Sequence, residues 1–357
     1  MPEIVIGHRK VGDGHAPFIV AEAGINHNGE IEKAVAMIGA ARQAGADAVK
    51  FQTFKSDEFV GDPSQTYTYR SQGRDVTESM LAMFRRYELS REAWFALKSE
   101  CDRQGIVFMS TPQNRSDLDL LLEVGVPAIK VGSDDFTNLP LLKNYATAGL
   151  PMILSCGMAD LAEVRSSLEA AGALTGRPVA LLLCTSQYPT PAKDVNLRKL
   201  LTLRAEFPQI VLGFSDHTQG SLAAAVAAGV GACVFEKHFT LDRNLPGPDH
   251  WFSEDPADLR DWVDAIRTVQ AMLGSSAVEP TAAEREMRKL ARRSVVALRE
   301  IAAGERFTSA NVGLRRPGTG LPPEMLEHVL GAEATRELSA GAILTWEMLK
   351  DDDNGIH

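Results

Sequence analysis

"IVLGFSDHTQGSLAAAVAAGVGACVFEKHFT", residues 210–240, decides how the chain folds. Two short apolar runs flank an alanine-rich segment of helical period, the pattern of a strand, a crossover helix and a parallel strand. Both runs stop alike, the first in Ser215-Asp216-His217 and the second in Glu236-Lys237-His238. Strand side chains alternate faces, so Ser215 shares a side with His217 and Glu236 with His238, while Lys237 turns outward toward helices. An apolar strand that ends in an acid, a base and a histidine has something at that end to face.

The unit repeats. "PFIVAEAG", "DAVKFQT", "IVFMSTP", "AIKVGSDD", "MILSCGM" and "VALLLCTSQYP" precede the quoted pair, making eight runs with amphipathic segments between them. Eight βα units over 17–272 match a (β/α)8 TIM barrel, typically about 250 residues long. A doubly wound open sheet is the alternative, and no G-x-G-x-x-G follows the first run to support it. Each run ends polar: Glu22 and Asn26; Lys50 and Gln52; Ser110 and Thr111; Lys130 and Ser133; Ser155; Thr185, Ser186 and Tyr188. Any one hydroxyl there is an ordinary turn former, but eight strands ending polar at the mouth of a barrel describe a site.

The 357 residues are 45% hydrophobic and 24% charged, with a net charge of −10, which argues against nucleic acid or an anionic membrane as partner. The N-terminus lacks the apolar core of a signal peptide and no run approaches a membrane span, so a cytoplasmic protein is expected. Cys101, Cys156, Cys184 and Cys233 show no disulfide or metal spacing and read as reduced, buried thiols. Residues 55–105 interrupt the rhythm as an insertion that either covers the mouth or decorates the surface; its helix opens at Ser90. Beyond the linker at 274–286 the βα rhythm ends, and short strands with Gly/Pro turns predict a small, mostly-β domain. The division is therefore a barrel over 1–280 and a β domain over 281–357.

His217 and His238 end neighbouring strands in inward phase, which suits a divalent ion with positions left open for water and substrate. Lys50 and Lys130, set in apolar strands, make a local cationic basin for an anionic, phosphate-bearing substrate; a Schiff-base lysine is the alternative. Thr111, Ser133, Ser155, Ser186 and Ser215 are donors for phosphate or carboxylate. Glu22 is the candidate general base, or else the salt-bridge partner of Lys50.

"AEAGINHNG", "VKFQTF", "STP", "IKVGSDDFTNLPLL", "ILSCGM", "CTSQYPTP", "GFSDHT", "EKHFT" and "GPDH", in that order, resemble the N-acetylneuraminate (sialic acid) synthase family, which includes legionaminic and pseudaminic acid synthases. The tail resembles that family's antifreeze-like β-clip (SAF) domain. The resemblance implies condensation of phosphoenolpyruvate with an open-chain 2-acetamido hexose, N-acetylmannosamine or a di-N-acetylated relative, giving a nine-carbon 3-deoxy-2-keto acid and phosphate. It implies that His217 and His238 hold a divalent ion, Mn2+ with Mg2+ or Co2+ as alternatives. It gives Glu22 acid/base work, and Lys50, Thr111, Lys130, Ser133, Ser155 and Ser215 the phosphate and carboxylate. Gln52, Asp135, Tyr188 and Asp249 would meet the sugar. Arg316 resembles an arginine that one protomer inserts into its partner's site, which implies a domain-swapped homodimer.

Two positions depart from the family pattern. Ser186 stands where many members carry asparagine, and Asp134 adds an acid beside Asp135, so the identity of the sugar stays open. Loop 55–90 matches the family least and is expected to carry much of that choice. A Schiff-base aldolase on the same barrel and a non-catalytic sugar- or ice-binding protein are the competing readings.

Overall fold

All eight runs form parallel strands. In the computed structural model, which describes residues 2–350, they are β1 (Phe18–Gly24), β2 (Ala48–Thr53), β3 (Val107–Pro112), β4 (Ile129–Val131), β5 (Met152–Ser155), β6 (Val179–Cys184), β7 (Val211–Asp216) and β8 (Val234–His238). Backbone ladders join them in the order β3-β2-β1-β8-β7-β6-β5-β4, and the end strands β3 and β4 lie side by side to close the barrel. The register aligns Glu22 with both Lys50 and His238, and Ser215 with Glu236, which sets the polar strand ends at one height.

Alternation sorts the side chains. Outward residues such as Ile19, Val49, Phe51, Phe108, Leu181 and Phe235 pack against helices that contribute Trp94, Leu97, Trp262 and Ile266. Inward residues Phe18, Val20, Ala48, Met109, Ile153, Ala180, Leu182 and Val234 fill the lower interior. Gly213 belongs to that layer because a Cβ there would lie 2.3 Å from Leu182 Cδ2 and 2.4 Å from the Val234 carbonyl. One alternation further up, the same inward phase delivers Glu22, Lys50, Thr111, Lys130, Ser155, Cys184, Ser215 and Glu236.

Two antiparallel hairpins were not anticipated by the sequence reading. The first, Glu3–Ile6 with Arg9–Gly12, adds Ile4, Ile6 and Val11 to the lower interior cluster. The second, Thr66–Ser71 with Arg74–Ser79, belongs to the insertion and turns through Gln72 and Gly73, both at positive φ (50° and 79°) as a tight hairpin turn requires. Ser90 caps the insertion's last helix, Arg91–Gln104, by accepting from the Ala93 amide.

The chain divides into two compact units between Gly274 and Ser275. The second pairs Ser294–Ala297 with Val312–Arg315 and Glu333–Ala334 with Leu349–Lys350, around a core that includes Val295, Ile301, Phe307 and Leu344. Part of the expected linker is helical: Thr281 and Glu284 form a capping box at the start of helix Ala282–Ala291. Residues 351–357 lie outside the described residues. Among the described residues, all four cysteines are free and buried, and no helix is long and apolar enough to cross a membrane.

Candidate active site

A cavity of about 860 Å³ opens at the C-terminal strand ends, and all eight strands, or the turns that directly follow them, contribute to its wall. Four buried charges form its floor. Lys50 Nζ lies 2.7 Å from Glu22 Oε2 and 3.7 Å from Glu236 Oε2, and Lys130 Nζ lies 3.5 Å from Glu236 Oε1. Lys50 donates to Thr111 Oγ1 (3.0 Å), Lys130 to Ser155 Oγ (2.9 Å), Ser215 to Glu236 (3.1 Å) and Gln52 to Glu22 (3.1 Å). Isolated charges at this depth would be prohibitive, and two of each sign make the arrangement tolerable.

The same network divides the acids. Burial, reinforced by the nearby Glu236 charge, raises the Glu22 carboxyl although Lys50 opposes it. Burial also acts on Glu236, but Lys130 and Lys50 outweigh it and hold that carboxyl below its ordinary range. The two acids thus differ in proton affinity, Glu22 taking up a proton more readily than Glu236, the division that acid–base chemistry needs. Burial alone would lower the Lys50 ammonium; Glu22 and Glu236 overcome it and raise it instead. A Schiff-base lysine requires the opposite shift, so Lys50 has the electrostatics of an anion binder.

Beside the lysines sits a hydroxyl cradle. The Gly157 amide donates to Ser133 Oγ (3.0 Å), and Ser186 Oγ is buried without a partner among the described residues. A Cβ on Gly157 would come within 2.4 Å of Ser186 Oγ and 2.6 Å of Ser133 Oγ, so glycine keeps the cradle open.

Higher up, the His217 and His238 rings stand 5.4 Å apart between centroids. His217 Nδ1 faces the Thr185 carbonyl at 2.8 Å; a carbonyl only accepts, so Nδ1 carries the proton and Nε2 keeps a free lone pair. His238 Nδ1 is buried without a hydrogen bond, and burial together with His217 and Lys50 keeps this ring neutral, well below its ordinary pKa. Burial would lower His217 too, but Cys184, the Thr185 carbonyl and Glu236 overcome it and raise that imidazole, so a divalent ion held by the pair would meet a neutral His238 and compete with a proton on His217. Among the described residues, no cluster of three or more His, Cys, Asp or Glu side chains is arranged around a common metal position. The Tyr188 ring lies against His217, tilted by 36° with centroids 4.2 Å apart, and Asp249 Oδ2 lies 3.9 Å from His238 Nδ1. Burial, with Glu22 adding to it, pushes Asp249 up to about 7.

Of the residues singled out from the sequence, Glu22, Lys50, Gln52, Thr111, Lys130, Ser133, Ser155, Ser186, Tyr188, Ser215, His217, His238 and Asp249 all line this one cavity. Asp135 does not. It accepts from Asn138 Nδ2 (3.0 Å) at the start of the next helix, while Asp134 lines the cavity instead. Arg316 is exposed on the C-terminal unit, just after strand Val312–Arg315. Asn26 is structural, donating to the Phe239 carbonyl (2.9 Å) and Ser253 (3.1 Å). The sequence reading missed an aromatic wall of Phe59, Tyr67, Tyr69 and Phe84 from the insertion with Trp251 and Phe252 from the loop after β8. It also missed Gln113, which lies two residues beyond Thr111 in the same phase and was legible by that alternation.

Residues 37–278 match the NeuB family and residues 292–350 match the SAF domain. The chain belongs to the NeuB family. It is a synthase enzyme, as its named relatives in that family are. An N,N'-diacetyllegionaminic acid synthase of Legionella pneumophila is 40% identical over 96% of this chain and 98% of its own. A Campylobacter jejuni protein of the same name is 37% identical over 89% of this chain and 96% of its own. Among solved structures, the N-acetylneuraminic acid synthetase of Leptospira borgpetersenii, in complex with citrate, superposes with a TM-score of 0.71 at 33% identity, covering 80% of this chain and 94% of that one. This NeuB-family barrel thus carries its polar residues at the strand ends, with the SAF domain forming the second unit.

Proposed function

We propose that this NeuB-family synthase condenses phosphoenolpyruvate with the open-chain aldehyde of a 2-acetamido hexose, giving a nine-carbon 3-deoxy-2-keto acid of the sialic or legionaminic type and inorganic phosphate. The observation that carries the reading is the floor itself: two ammonium groups and a set of hydroxyls, beside two acids of unlike proton affinity. Lys50, Lys130, Thr111 and Ser155 supply donors for the carboxylate and phosphate of phosphoenolpyruvate, with Ser133, Ser186 and the Gly157 backbone forming the remainder of the anion cradle. Glu236 and Glu22 together offset the two lysines, so the empty site carries no excess of buried positive charge.

His217 and His238 would hold a divalent ion, with Mn2+ the first candidate. Bound there, it would supply Lewis-acid polarisation of the sugar's aldehyde oxygen. In the reaction, carbon 3 of phosphoenolpyruvate bonds to carbon 1 of the aldose, whose carbonyl oxygen takes up a proton and becomes a hydroxyl. Water adds at carbon 2, Glu22 accepts its proton and passes it to the aldose oxygen, and the tetrahedral centre expels phosphate by breaking the C–O bond, its remaining hydroxyl proton leaving with the phosphate as the keto group forms. Gln52, Tyr188 and Asp249 lie above the floor, where they can orient the sugar chain. In the same reading Arg316 serves the cavity of a second copy in a domain-exchanged homodimer. The test is phosphate release from phosphoenolpyruvate with a panel of acetamido hexoses, with Mn2+ and after chelation. Release with at least one sugar, lost on chelation and restored by the ion, is expected; no release with any sugar would overturn the reaction.

A further inference from the structure

Gln113 is held in place from three sides yet leaves its own side chain unused. Its amide donates to the Thr53 carbonyl (3.1 Å), and the carbonyls of Pro112 and Asn114 on either side of it accept from the Tyr145 hydroxyl (3.1 and 3.2 Å). The residue is 9% exposed and lines the cavity, and its Oε1 has no hydrogen-bond partner among the described residues. A buried carboxamide oxygen left unpaired costs about 1–3 kcal/mol, so a fixed position without a partner points to a ligand that supplies one.

Its height is informative. Met109 and Thr111 share the inward phase of β3 and Gln113, the first residue past its end, continues it, so Gln113 lies about 6–7 Å further along the chain direction than Thr111, the residue that touches Lys50. With the aldehyde carbon at the level of the floor, that height meets the middle of an extended hexose chain. Across the closing seam of the barrel, beyond the end of β4, Asp134 also lines the cavity. Its carboxylate folds back over Gly132, where a Cβ would lie 2.2 Å from Oδ1. Arg70, a cation that also lines the cavity, lies over the Trp251 ring at 5.3 Å.

We propose that Gln113 and Asp134 form a second sugar subsite on the β3/β4 side of the cavity, which takes an uncharged amide substituent in the distal half of the hexose and disfavours a phosphorylated one. A primary carboxamide pairs with an acetamido group through both its oxygen and its NH2, and a carboxylate adds an acceptor for the N–H while repelling phosphate. The aromatic wall of the same cavity suits the acetyl methyl and a deoxygenated sugar terminus. This subsite rests on the condensation proposed above, because that reading sets which end of the sugar lies deep.

The experiment compares three aldoses: a 2-acetamido hexose, its 6-phosphate, and a 2,4-diacetamido-6-deoxy hexose. For Gln113→Leu, the ratio of kcat/KM for the diacetamido sugar over the monoacetamido sugar should fall about 10–100-fold; an unchanged ratio overturns the subsite. Asp134 is exposed, so Asp134→Asn tests the other half without burdening the fold. Relative use of the 6-phosphate should rise several-fold, and a flat response overturns the role of the charge. Titration calorimetry separates this inference from the reaction on which it rests. If wild-type protein releases no phosphate with any sugar, weaker binding of the diacetamido sugar by Gln113→Leu would still support the subsite, and equal binding would overturn it.

Discussion

Gly157→Ala should disable the anion cradle and leave the barrel intact. Gly157 is outside the left-handed region of backbone space, so a methyl group adds no conformational strain. The methyl would instead fall 2.4 Å from Ser186 Oγ and 2.6 Å from Ser133 Oγ, against an ordinary non-bonded separation of about 3.4 Å or more. Both hydroxyls must withdraw by about 1 Å, either by rotating about χ1 or by drawing the chain back, and each then points away from the cavity. Hydrogen bonds to a charged ligand contribute about 1.5–3 kcal/mol each, so losing two predicts a drop of about 10²–10⁴ in kcat/KM for phosphoenolpyruvate. The assay is phosphate release at saturating sugar with phosphoenolpyruvate varied, beside a thermal melt of the same sample. The expected result is a large loss in kcat/KM with a melting temperature within a few degrees of wild type. If kcat/KM stays within about threefold while the variant is folded, Ser133 and Ser186 do not hold the phosphate and the cradle argument fails.

Three further outcomes are expected. Glu22→Gln preserves shape and the contact with Gln52 but cannot exchange a proton, so turnover should fall about 10²–10⁴-fold while calorimetric affinity for phosphoenolpyruvate changes little; unimpaired turnover would remove Glu22 from proton transfer. His27 and His250 are both buried, and burial lowers each to about 4, so the unfolded chain binds more protons than the native one between that value and 6.5. Stability should therefore be complete above pH 6.5 and decline as pH falls toward 4, by about 3 kcal/mol per imidazole in urea titrations. His27→Asn, whose Oδ1 can replace Nδ1 as acceptor for the Gly29 amide, should flatten part of that slope, and an identical slope would show that His27 is not one of the groups responsible. Arg316→Ala should weaken sugar use, with activity recovered on mixing with a Glu22→Gln protomer if the arginine acts in trans; recovery that never exceeds the sum of the two would count against the exchange.

The barrel was readable because its signal is redundant. Phe51 between Lys50 and Gln52, Asp216 between Ser215 and His217, and Lys237 between Glu236 and His238 each announce two faces, and eight such ends agree. That redundancy is absent from the insertion hairpin, whose strands Thr66–Ser71 and Arg74–Ser79 bury little and alternate only in the short run Thr66-Tyr67-Thr68-Tyr69. The available cues were that run and the Gln72-Gly73 pair that follows it. Asp134 and Asp135 escaped for another reason. β4 ends at Val131, and beyond a strand end the alternation no longer says which of two neighbouring acids turns inward. The phase of β3 carries one residue past its end to Gln113, but a glutamine next to a Thr-Pro turn reads as surface, and its lack of a partner is a property of the folded cavity alone.

Lys237 never meets the cavity, and its contacts show what that costs the chain in freedom. Its ammonium reaches Asp216 (3.0 Å), Glu254 (3.4 Å) and the carbonyls of Thr218 (2.6 Å) and Gly220 (3.1 Å), beneath the Trp262 ring. It therefore pins the turn that carries His217 from the outside while Glu236 and His238 serve the inside. Two inheritances are interleaved on alternate residues of five. Point substitutions can erode either one gradually, but a single inserted or deleted residue in β8 would exchange them, sending the clamp into the cavity and the imidazole among the helices. Over evolutionary time this segment should accept changes of letter and refuse changes of length.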